Sequence, residues 1–245
     1  MSDIEETTKP STAIDDAPEE KSTSSFVMIA TLGVAGLLAG LLLVVVDGIT
    51  APRIAKYRKQ QQELAAKEVL GGEGRILRIE KFAFVDGSLV PITVDDTGQE
   101  SPSTDSPIFR GYDANNVLLG YAFPGAEFGY ADVIPIVIGY SPSTHSLLGM
   151  KVLGNKETPG LGDNIVNDEH FANQWPGKTA PLVQMKGNAS LANEVDTISG
   201  ATISSSAVIR GMNRAIELYK PAIDALESSD SQAAVSATKS EKEAG

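Results

Sequence analysis

The sequence predicts an α+β domain, a mainly antiparallel sheet with flanking helices, tethered by one N-terminal transmembrane helix. Three observations lead to this fold class. An uncharged apolar run extends over residues 26–46, apolar runs separated by short turns fill residues 76–140, and an amphipathic helical pattern follows Ser204. Connections between the apolar runs are too short for helical crossovers, which indicates antiparallel pairing.

The N-terminal part divides into a polar segment and an anchor. Residues 1–25 are polar and acidic with few large apolar side chains, so we predict that they are disordered. Residues 26–46 form a helix about 30 Å long, enough to cross a bilayer core. A cleaved signal peptide is the alternative, but its apolar core is usually about 7–15 residues long and follows a basic segment. A retained transmembrane helix is therefore predicted.

Residues 47–75 are predicted to form a membrane-proximal helix or linker, with Pro52 in its first turn and "GGEG" at its end. Basic residues near the anchor lie mostly on its C-terminal side. A positive-inside count would place the following domain in the cytoplasm. The residues concerned are Arg53, Lys56, Arg58 and Lys59.

Residues 76–226 are predicted to form the folded domain. An Asp-Gly turn at residues 86–87 lies within an alternating stretch, and an Asn-Asn turn at residues 115–116 separates two predicted strands, as in β-hairpins. The last part of the domain has apolar residues at helical spacing, which predicts one buried helix face. The residues of this helix face are Val208, Ile209, Met212, Ile216 and Tyr219. Residues 227–245 are polar and are predicted to be a disordered tail.

Composition excludes several functions. The 245 residues carry a net charge of −12, which argues against nucleic-acid binding. The chain has no cysteine, which excludes thiolate zinc sites, cysteine-held iron–sulfur clusters and cysteine nucleophiles. His145 and His170 lie far apart without metal-ligand spacing, so no metal site is predicted. No pair of groups indicates acid–base catalysis, and no catalytic residue is assigned.

The first segment that suggests chemistry is "KETPGLGDNI", residues 156–165, which follows an apolar strand. Its glycines allow a positive φ and let a flat ligand approach the backbone. The alternative is a tight turn at the end of the strand, with Glu157 in solvent.

The second segment is "EVDTISGATISSS", residues 194–206. Residues 204–206 are serines and are good candidates to cap the following helix, which would place residues 199–202 in the turn before it. Such a turn presents free N–H groups to an anion, typically a phosphate. The alternative is that Thr202 simply caps a loop–helix junction.

The residues "DTISGAT" match the full D-x-x-(S/T)-G-A-T pattern of the covalent FMN-binding domain family. With "ETPGLG" earlier in the chain and one N-terminal anchor, the chain resembles the G subunit of the Rnf ion-translocating electron-transport complex. The C subunit of the sodium-pumping NADH:quinone reductase is a close second. The resemblance extends from the anchor to about residue 220.

The resemblance implies that a flavin transferase, with FAD as donor, attaches FMN through a phosphoester to Thr202. Asp196 is then a plausible helper during the transfer, and the glycine loop forms the second wall beside the flavin. The residues expected at the cofactor are Asp196, Ser199, Gly200, Ala201 and Thr202 on one side, and Glu157, Thr158, Gly160, Leu161 and Gly162 on the other.

The resemblance also implies an electron-relay subunit within a complex that couples ferredoxin–NAD electron transfer to Na⁺ or H⁺ transport. Its partners would be other membrane subunits and the flavin transferase. It places the flavin domain on the periplasmic side of the inner membrane, against the charge count. Besides the quinone-reductase subunit, two alternatives are a membrane-tethered flavin reductase acting alone and a membrane-anchored binding or scaffold module.

Overall fold

The computed structural model describes residues 24–72, 74–95 and 100–243, with side chains in the last helix described as far as Gln232. The disorder predicted for residues 1–25 concerns mostly residues 1–23, which lie outside the described residues. The chain divides into two compact units, Met1–Ile54 and Ala55–Gly245.

Helix α1 (Ser25–Val69) begins in the apolar run and ends in the second unit. It is long and apolar enough to cross a membrane, and the large side chains of its apolar part are exposed, as for Leu32 at 76%. We predicted a transmembrane helix followed by a second helix starting near Pro52. Instead Pro52 lies inside one unbroken helix. Proline removes a single backbone hydrogen bond, and the residues after it, rich in Ala, Gln, Glu, Lys and Leu, favour helix strongly enough to continue.

A six-stranded antiparallel sheet forms the centre of the second unit, in the order β2-β1-β5-β6-β7-β8. The predicted turn at Asp86-Gly87 joins β1 and β2, with positive φ at both residues. The predicted turn at Asn115-Asn116 joins β5 and β6. The strands are β1 (Arg78–Val85), β2 (Ser88–Pro91), β3 (Thr93–Val94), β4 (Glu100–Ser101), β5 (Ile108–Tyr112), β6 (Leu118–Phe128), β7 (Val133–Ser141) and β8 (Ser146–Val152).

The remaining elements follow β8. Strands β3 and β4 pair with each other outside the main sheet, and two short strands, β9 and β10, form a parallel pair. These elements are α2 (Asn164–Asn167), α3 (Glu169–Asn173), β9 (Val183–Met185), β10 (Glu194–Asp196) and α4 (Thr202–Glu243).

Each face of the main sheet packs against a different helix. Alternate residues of β6 and β7, such as Phe123 and Ile138, face α4 in the larger core, which includes Val208, Ile209 and Met212. The intervening residues face the last turns of α1, where Val69 and its neighbours pack in a smaller cluster. The predicted apolar face of α4 is confirmed, because four of its five residues are buried and Tyr219 is partly buried against the core.

Helix α4 continues to Glu243, whereas the sequence predicted a disordered tail from residue 227. Alanine, glutamate and lysine favour helix after this point. The buried guanidinium of Arg110 also binds the carboxylates of Glu227 and Asp230, which keeps this part of the helix on the sheet. The sequence could not predict these two contacts, because Glu227 and Asp230 are both far from Arg110 along the chain.

Candidate functional site

Both predicted segments meet at one cavity of about 500 Å³. The glycine loop after β8 forms one side, the turn before α4 forms another, and the connection between β6 and β7 closes a third. The lining residues are Tyr130, Glu157, Thr158, Leu161, Gly162, Gly200, Ala201, Thr202, Ile203 and Ser204.

The glycine loop is a series of turns between β8 and α2. Gly160 has a φ of +74°, which a side chain would strain, and the N–H of Leu161 donates to the carbonyl of Thr158 at 3.1 Å. Leu161 is half exposed at 51%, so the loop presents an apolar side chain to the cavity rather than to the core. Gly160 itself is not among the lining residues.

The turn before α4 brings Thr202 to the first position of the helix. Gly200 has a φ of +81°, and the N–H of Ala201 donates to the carbonyl of Ile198 at 3.1 Å, which closes the turn. Ala201 is buried, whereas Thr202 is exposed beside the cavity. Its hydroxyl is therefore on the accessible side of a tightly closed turn.

The helix begins earlier than predicted, because Ser204, Ser205 and Ser206 lie inside it and are buried. We expected them to cap the helix, with Thr202 in the turn before it. Instead the hydroxyl of Ser205 donates to the carbonyl of Ala201 at 2.9 Å and accepts from the N–H of Ile198 at 3.3 Å. The serines thus stabilise the turn from within the helix.

The first turn of α4 has donors available for an anion. Among the described residues, none accepts a hydrogen bond from the N–H groups of Thr202, Ile203 or Ser204. The first N–H groups of a helix lack partners within it, and the helix dipole favours negative charge at this end. A phosphate group fits such a position.

Glu157 is buried, with 5% of its surface exposed. Its carboxylate accepts the N–H groups of Tyr130 and Ala131, both at 3.1 Å, and the hydroxyl of Ser204 at 2.5 Å. Burial by itself would raise the pKa of Glu157, but the hydrogen bonds from Ser204 and from the backbone of residues 130–132 outweigh it and lower the pKa. Glu157 is therefore an ionised group in the cavity wall.

Besides Gly160, two predicted site residues do not line the cavity. The carboxylate of Asp196 accepts the N–H of Ala189 at 3.0 Å and lies 3.5 Å from Nε2 of His170. Ser199 is exposed, and neither residue lines the cavity. Asp196 is thus engaged in holding the loop before β10.

Three lining residues were missing from the predicted site. Tyr130 is 67% exposed at the cavity. Ile203 is exposed one position after Thr202, and Ser204 contacts Glu157. No motif in the sequence indicated these three residues, because the glycine loop and the turn before α4 each come to the cavity from a distant part of the chain.

Comparison with known proteins gives the class of the domain. A family described as the FMN-binding domain matches residues 129–217, which include the whole cavity lining. The fold is also that of the C subunit of a Na⁺-translocating NADH-quinone reductase from Parabacteroides distasonis, with a TM-score of 0.50 and 17% identity over 69% of this chain and 94% of that one.

Curated relatives give the particular family. The chain is 30% identical over 77% of its length to the G subunit of the Na⁺-translocating ferredoxin:NAD⁺ oxidoreductase complex of Acetobacterium woodii, covering 88% of that protein. It is 29% identical over 78% of its length to the G subunit of the ion-translocating oxidoreductase complex of Methanosarcina acetivorans, covering 92% of it. The chain therefore belongs to the family of G subunits of ion-translocating oxidoreductase complexes, and its domain binds FMN.

The residues of the cavity fit FMN. The free N–H groups and dipole at the start of α4 suit its phosphate, and the apolar side chains of Leu161 and Ile203 suit its flat ring.

Proposed function

We propose that this chain is the FMN-carrying electron-relay subunit of a membrane-bound, ion-translocating oxidoreductase complex of the Rnf type, and that Thr202 holds the FMN covalently. One observation carries the proposal: Thr202 is exposed at the first position of α4, in a cavity whose opposite wall is the predicted glycine loop. The similarity to the G subunits of such complexes over most of the chain supports the Rnf type.

The proposed attachment is a phosphoryl transfer from FAD, performed with a flavin transferase. The Thr202 hydroxyl oxygen forms a bond to the phosphorus of the FMN half, the pyrophosphate P–O bond breaks, and AMP leaves. The hydroxyl proton passes to a base. A threonine hydroxyl needs such activation. Because Asp196 faces His170 and Ala189 rather than the cavity, we assign the base to the transferase instead of to Asp196.

In the mature protein, each wall has a separate task. The phosphodiester retains one negative charge, which the start of α4 stabilises through its dipole and the free N–H groups. The half-exposed side chain of Leu161 would pack against the flat ring from the loop side of the cavity. The bound flavin supplies the electron transfer, and the protein supplies its position and surroundings.

We assign ion transport to partner subunits. The apolar part of α1 has no ionisable group between Phe26 and Val46, so it offers no path for an ion. Electron donors and acceptors such as iron–sulfur centres would also belong to partners, since the chain contains no cysteine.

We place the flavin domain on the periplasmic side of the inner membrane, where the resemblance puts the transferase. The basic residues after the anchor favour the opposite side. Protease treatment of intact spheroplasts decides between them: we expect the domain to be digested, and full protection would place it in the cytoplasm.

The covalent bond is tested by producing the full chain together with a flavin transferase, denaturing it and examining the protein band for flavin fluorescence. We expect a fluorescent band that disappears in Thr202→Val. Thr197→Val is the matched control, because the Thr197 hydroxyl donates to the carbonyl of Met185 at 2.9 Å outside the cavity lining. An unlabelled wild-type band, or a label that survives Thr202→Val, would contradict the covalent attachment.

Membership in a quinone-reductase complex is the second candidate, because the same fold occurs in its C subunit. Purification of the chain with its native neighbours separates the two. Co-purified subunits that support ferredoxin–NAD electron transfer fit the first, and quinone reduction by NADH fits the second. Isolation of an active flavin reductase without partners would favour the stand-alone alternative.

A further inference from the structure

The carboxylate of Glu157 joins three separate segments of the cavity wall. It belongs to the glycine loop, accepts the N–H groups of Tyr130 and Ala131 after β6, and accepts the hydroxyl of Ser204 from the first turn of α4. Each of its oxygens has at least one of these donors, and Tyr130 is within 3.3 Å of the second oxygen as well. Both oxygens are therefore already engaged by donors of the protein.

Two glycines lie directly against this carboxylate. A Cβ atom on Gly129 would lie 2.5 Å from Oε1 of Glu157, and one on Gly162 would lie 2.7 Å from Oε2 and 2.7 Å from Oγ of Ser204. Such distances are far inside van der Waals contact. The chain therefore has room for this carboxylate only because both positions lack a side chain.

No cation of the described residues pairs with Glu157 within 4.0 Å, and the neighbouring Lys156 turns instead to Asp132 at 2.6 Å. The buried charge is stabilised by neutral donors alone. Hydrogen bonds of this kind are directional, so they fix the segments that donate them more closely than a diffuse ion pair would.

We propose that Glu157 is a positioning residue of the flavin site: its carboxylate fixes the Tyr130 segment and the first turn of α4 against the glycine loop, and so sets the spacing between Thr202 and the opposite wall. The inference rests on the proposed function in that the cavity receives FMN at Thr202. It assigns no direct contact between this carboxylate and the reacting atoms.

The proposal gives each partner a defined part. Ser204 lies two residues after Thr202 in the same helical turn, so holding Ser204 holds the attachment point. Tyr130 is exposed at the cavity, and its backbone N–H is held by Glu157 while its ring remains free. Loss of the carboxylate would release both walls together, whereas loss of the Ser204 hydroxyl would release one.

The first test needs no flavin. Amide hydrogen exchange of Tyr130 and Ala131 is measured on the full-length chain in detergent. We expect exchange to become about ten-fold faster or more in Glu157→Ala, because both N–H groups lose their acceptor, and to stay close to that of wild type in Ser204→Ala, which keeps the carboxylate. Glu157→Gln retains one acceptor oxygen, so its exchange should lie between wild type and Glu157→Ala.

Glu194→Ala is the matched control. Glu194 also accepts two backbone N–H groups and a serine hydroxyl, from Ser190 and Leu191, but it lies outside the cavity lining. Its replacement should speed exchange in its own loop and leave Tyr130 and Ala131 unchanged. Unchanged exchange at Tyr130 and Ala131 in Glu157→Ala would overturn the proposal, and if that variant does not fold, wild-type exchange in Glu157→Gln would overturn it.

The second test follows the flavin. At a temperature well below unfolding, the initial rate of covalent labelling should fall about ten-fold in Glu157→Ala. The visible circular dichroism of the attached flavin should also change, with partial recovery of both in Glu157→Gln. A merely stabilising role would leave the spectrum of the folded, labelled protein unchanged, and this result would contradict the positioning role.

The two proposals fail in different ways. A wild-type chain that takes no label, or a label that survives Thr202→Val, contradicts the attachment at Thr202, and the exchange experiment still decides whether Glu157 holds the walls. A labelled wild type with a Glu157→Ala variant of equal labelling rate and equal spectrum leaves the attachment intact and overturns the positioning role.

Discussion

The two ends of the described part of α4 are held to the domain by opposite chemistry. At the start, a buried carboxylate, Glu157, accepts hydrogen bonds from neutral donors, one of them Ser204. Near Gln232, a buried guanidinium, Arg110, binds two carboxylates of the helix, Glu227 and Asp230. One end uses a single charge without a counter-ion, and the other uses a compensated cluster.

The cluster around Arg110 is closely connected. The guanidinium lies 2.7 Å from each of the two carboxylates, and the hydroxyl of Tyr121 donates to Glu227 at 2.5 Å. Burial would lower the pKa of Arg110, but the hydrogen bond to Asp230 and the nearby negative charges raise it. Burial and the bond to Glu227 raise the pKa of Tyr121, so its hydroxyl remains a donor.

The contrast separates a stabilising contact from a functional one. In the cluster of opposite charges, both terminal nitrogens of Arg110 are bound by carboxylates of the helix. The start of the helix instead keeps free N–H groups and the exposed Thr202. Glu157 does not use these N–H groups, because it binds the hydroxyl of Ser204 and the backbone of residues 130–131. Both ends of the described helix are therefore held to the domain, but only its start leaves groups that can bind a ligand.

The largest effect is expected from shortening the chain. Truncation after Leu226 removes Glu227 and Asp230 and leaves Arg110 buried without its closest partners, so we expect the free energy of unfolding to fall by about 2–4 kcal/mol. Truncation after Gln232 keeps both carboxylates and should leave stability within about 0.5 kcal/mol of wild type. Denaturant unfolding of both proteins in detergent measures the difference. Equal stability would mean that the helix end is held by other contacts.

Replacing Arg110 should lower the free energy of unfolding less than removing Glu227 and Asp230 does. Arg110→Met keeps an apolar stem of similar length, and Glu227 and Asp230 are partly exposed, so water can solvate them. We expect a loss of about 1–2 kcal/mol in the free energy of unfolding, with covalent labelling at Thr202 unchanged. The same unfolding assay with a flavin gel checks both. Loss of labelling in folded Arg110→Met would show that the two ends are coupled.

Acid should act on the other end of the helix. Because the pKa of Glu157 is lowered in the folded state from its ordinary 4.5, its contribution to stability is fully present above that value and is lost as pH falls through the lowered folded pKa. Below pH 4.5, the stability of Glu157→Gln should therefore fall less steeply than that of wild type. Thermal unfolding from pH 6 to pH 3 measures both slopes, and parallel curves would exclude a lowered pKa.

The smallest effect is expected between the two ends. Lys220 forms a partly exposed i,i+4 ion pair with Asp224, and i,i+4 pairs on helices contribute about 0.5 kcal/mol or less. Lys220→Met should lower the unfolding free energy by no more than that, with labelling unchanged. A change above 1 kcal/mol in the unfolding assay would mean that the middle of α4 is held more strongly than its exposure indicates.

Much of the fold was predictable because local sequence patterns report burial and turns. The apolar runs of β6 and β7, the turns at Asp86-Gly87 and Asn115-Asn116, and the apolar face of α4 each predicted an element that the structure shows. The ends of helices were harder. Pro52 and the polar segment after residue 227 both suggested helix ends, but neighbouring propensity continued α1, and the distant Arg110 helped to hold α4.

The two segments that meet at the cavity could be picked out from the sequence because each has a local turn pattern. "ETPGLG" and "SGAT" each fix their own backbone through glycine, and the structure brings them to one cavity. The role of each side chain depended on partners far away in sequence. Asp196 turned to His170 and Ala189, and Glu157 turned to Tyr130, Ala131 and Ser204, none of which a motif could indicate.

The two glycines beside Glu157 give a practical criterion for other sequences. A chain can carry "ETPGLG" and "SGAT" and still be unable to seat the glutamate if a larger residue stands at the position of Gly129. A search that requires Gly129, Glu157, Gly162 and Ser204 together would select proteins by a shared packing constraint instead of by a short sequence motif. Sequences that pass it should accept each other's glycine loops in chimeras, and those that fail should not.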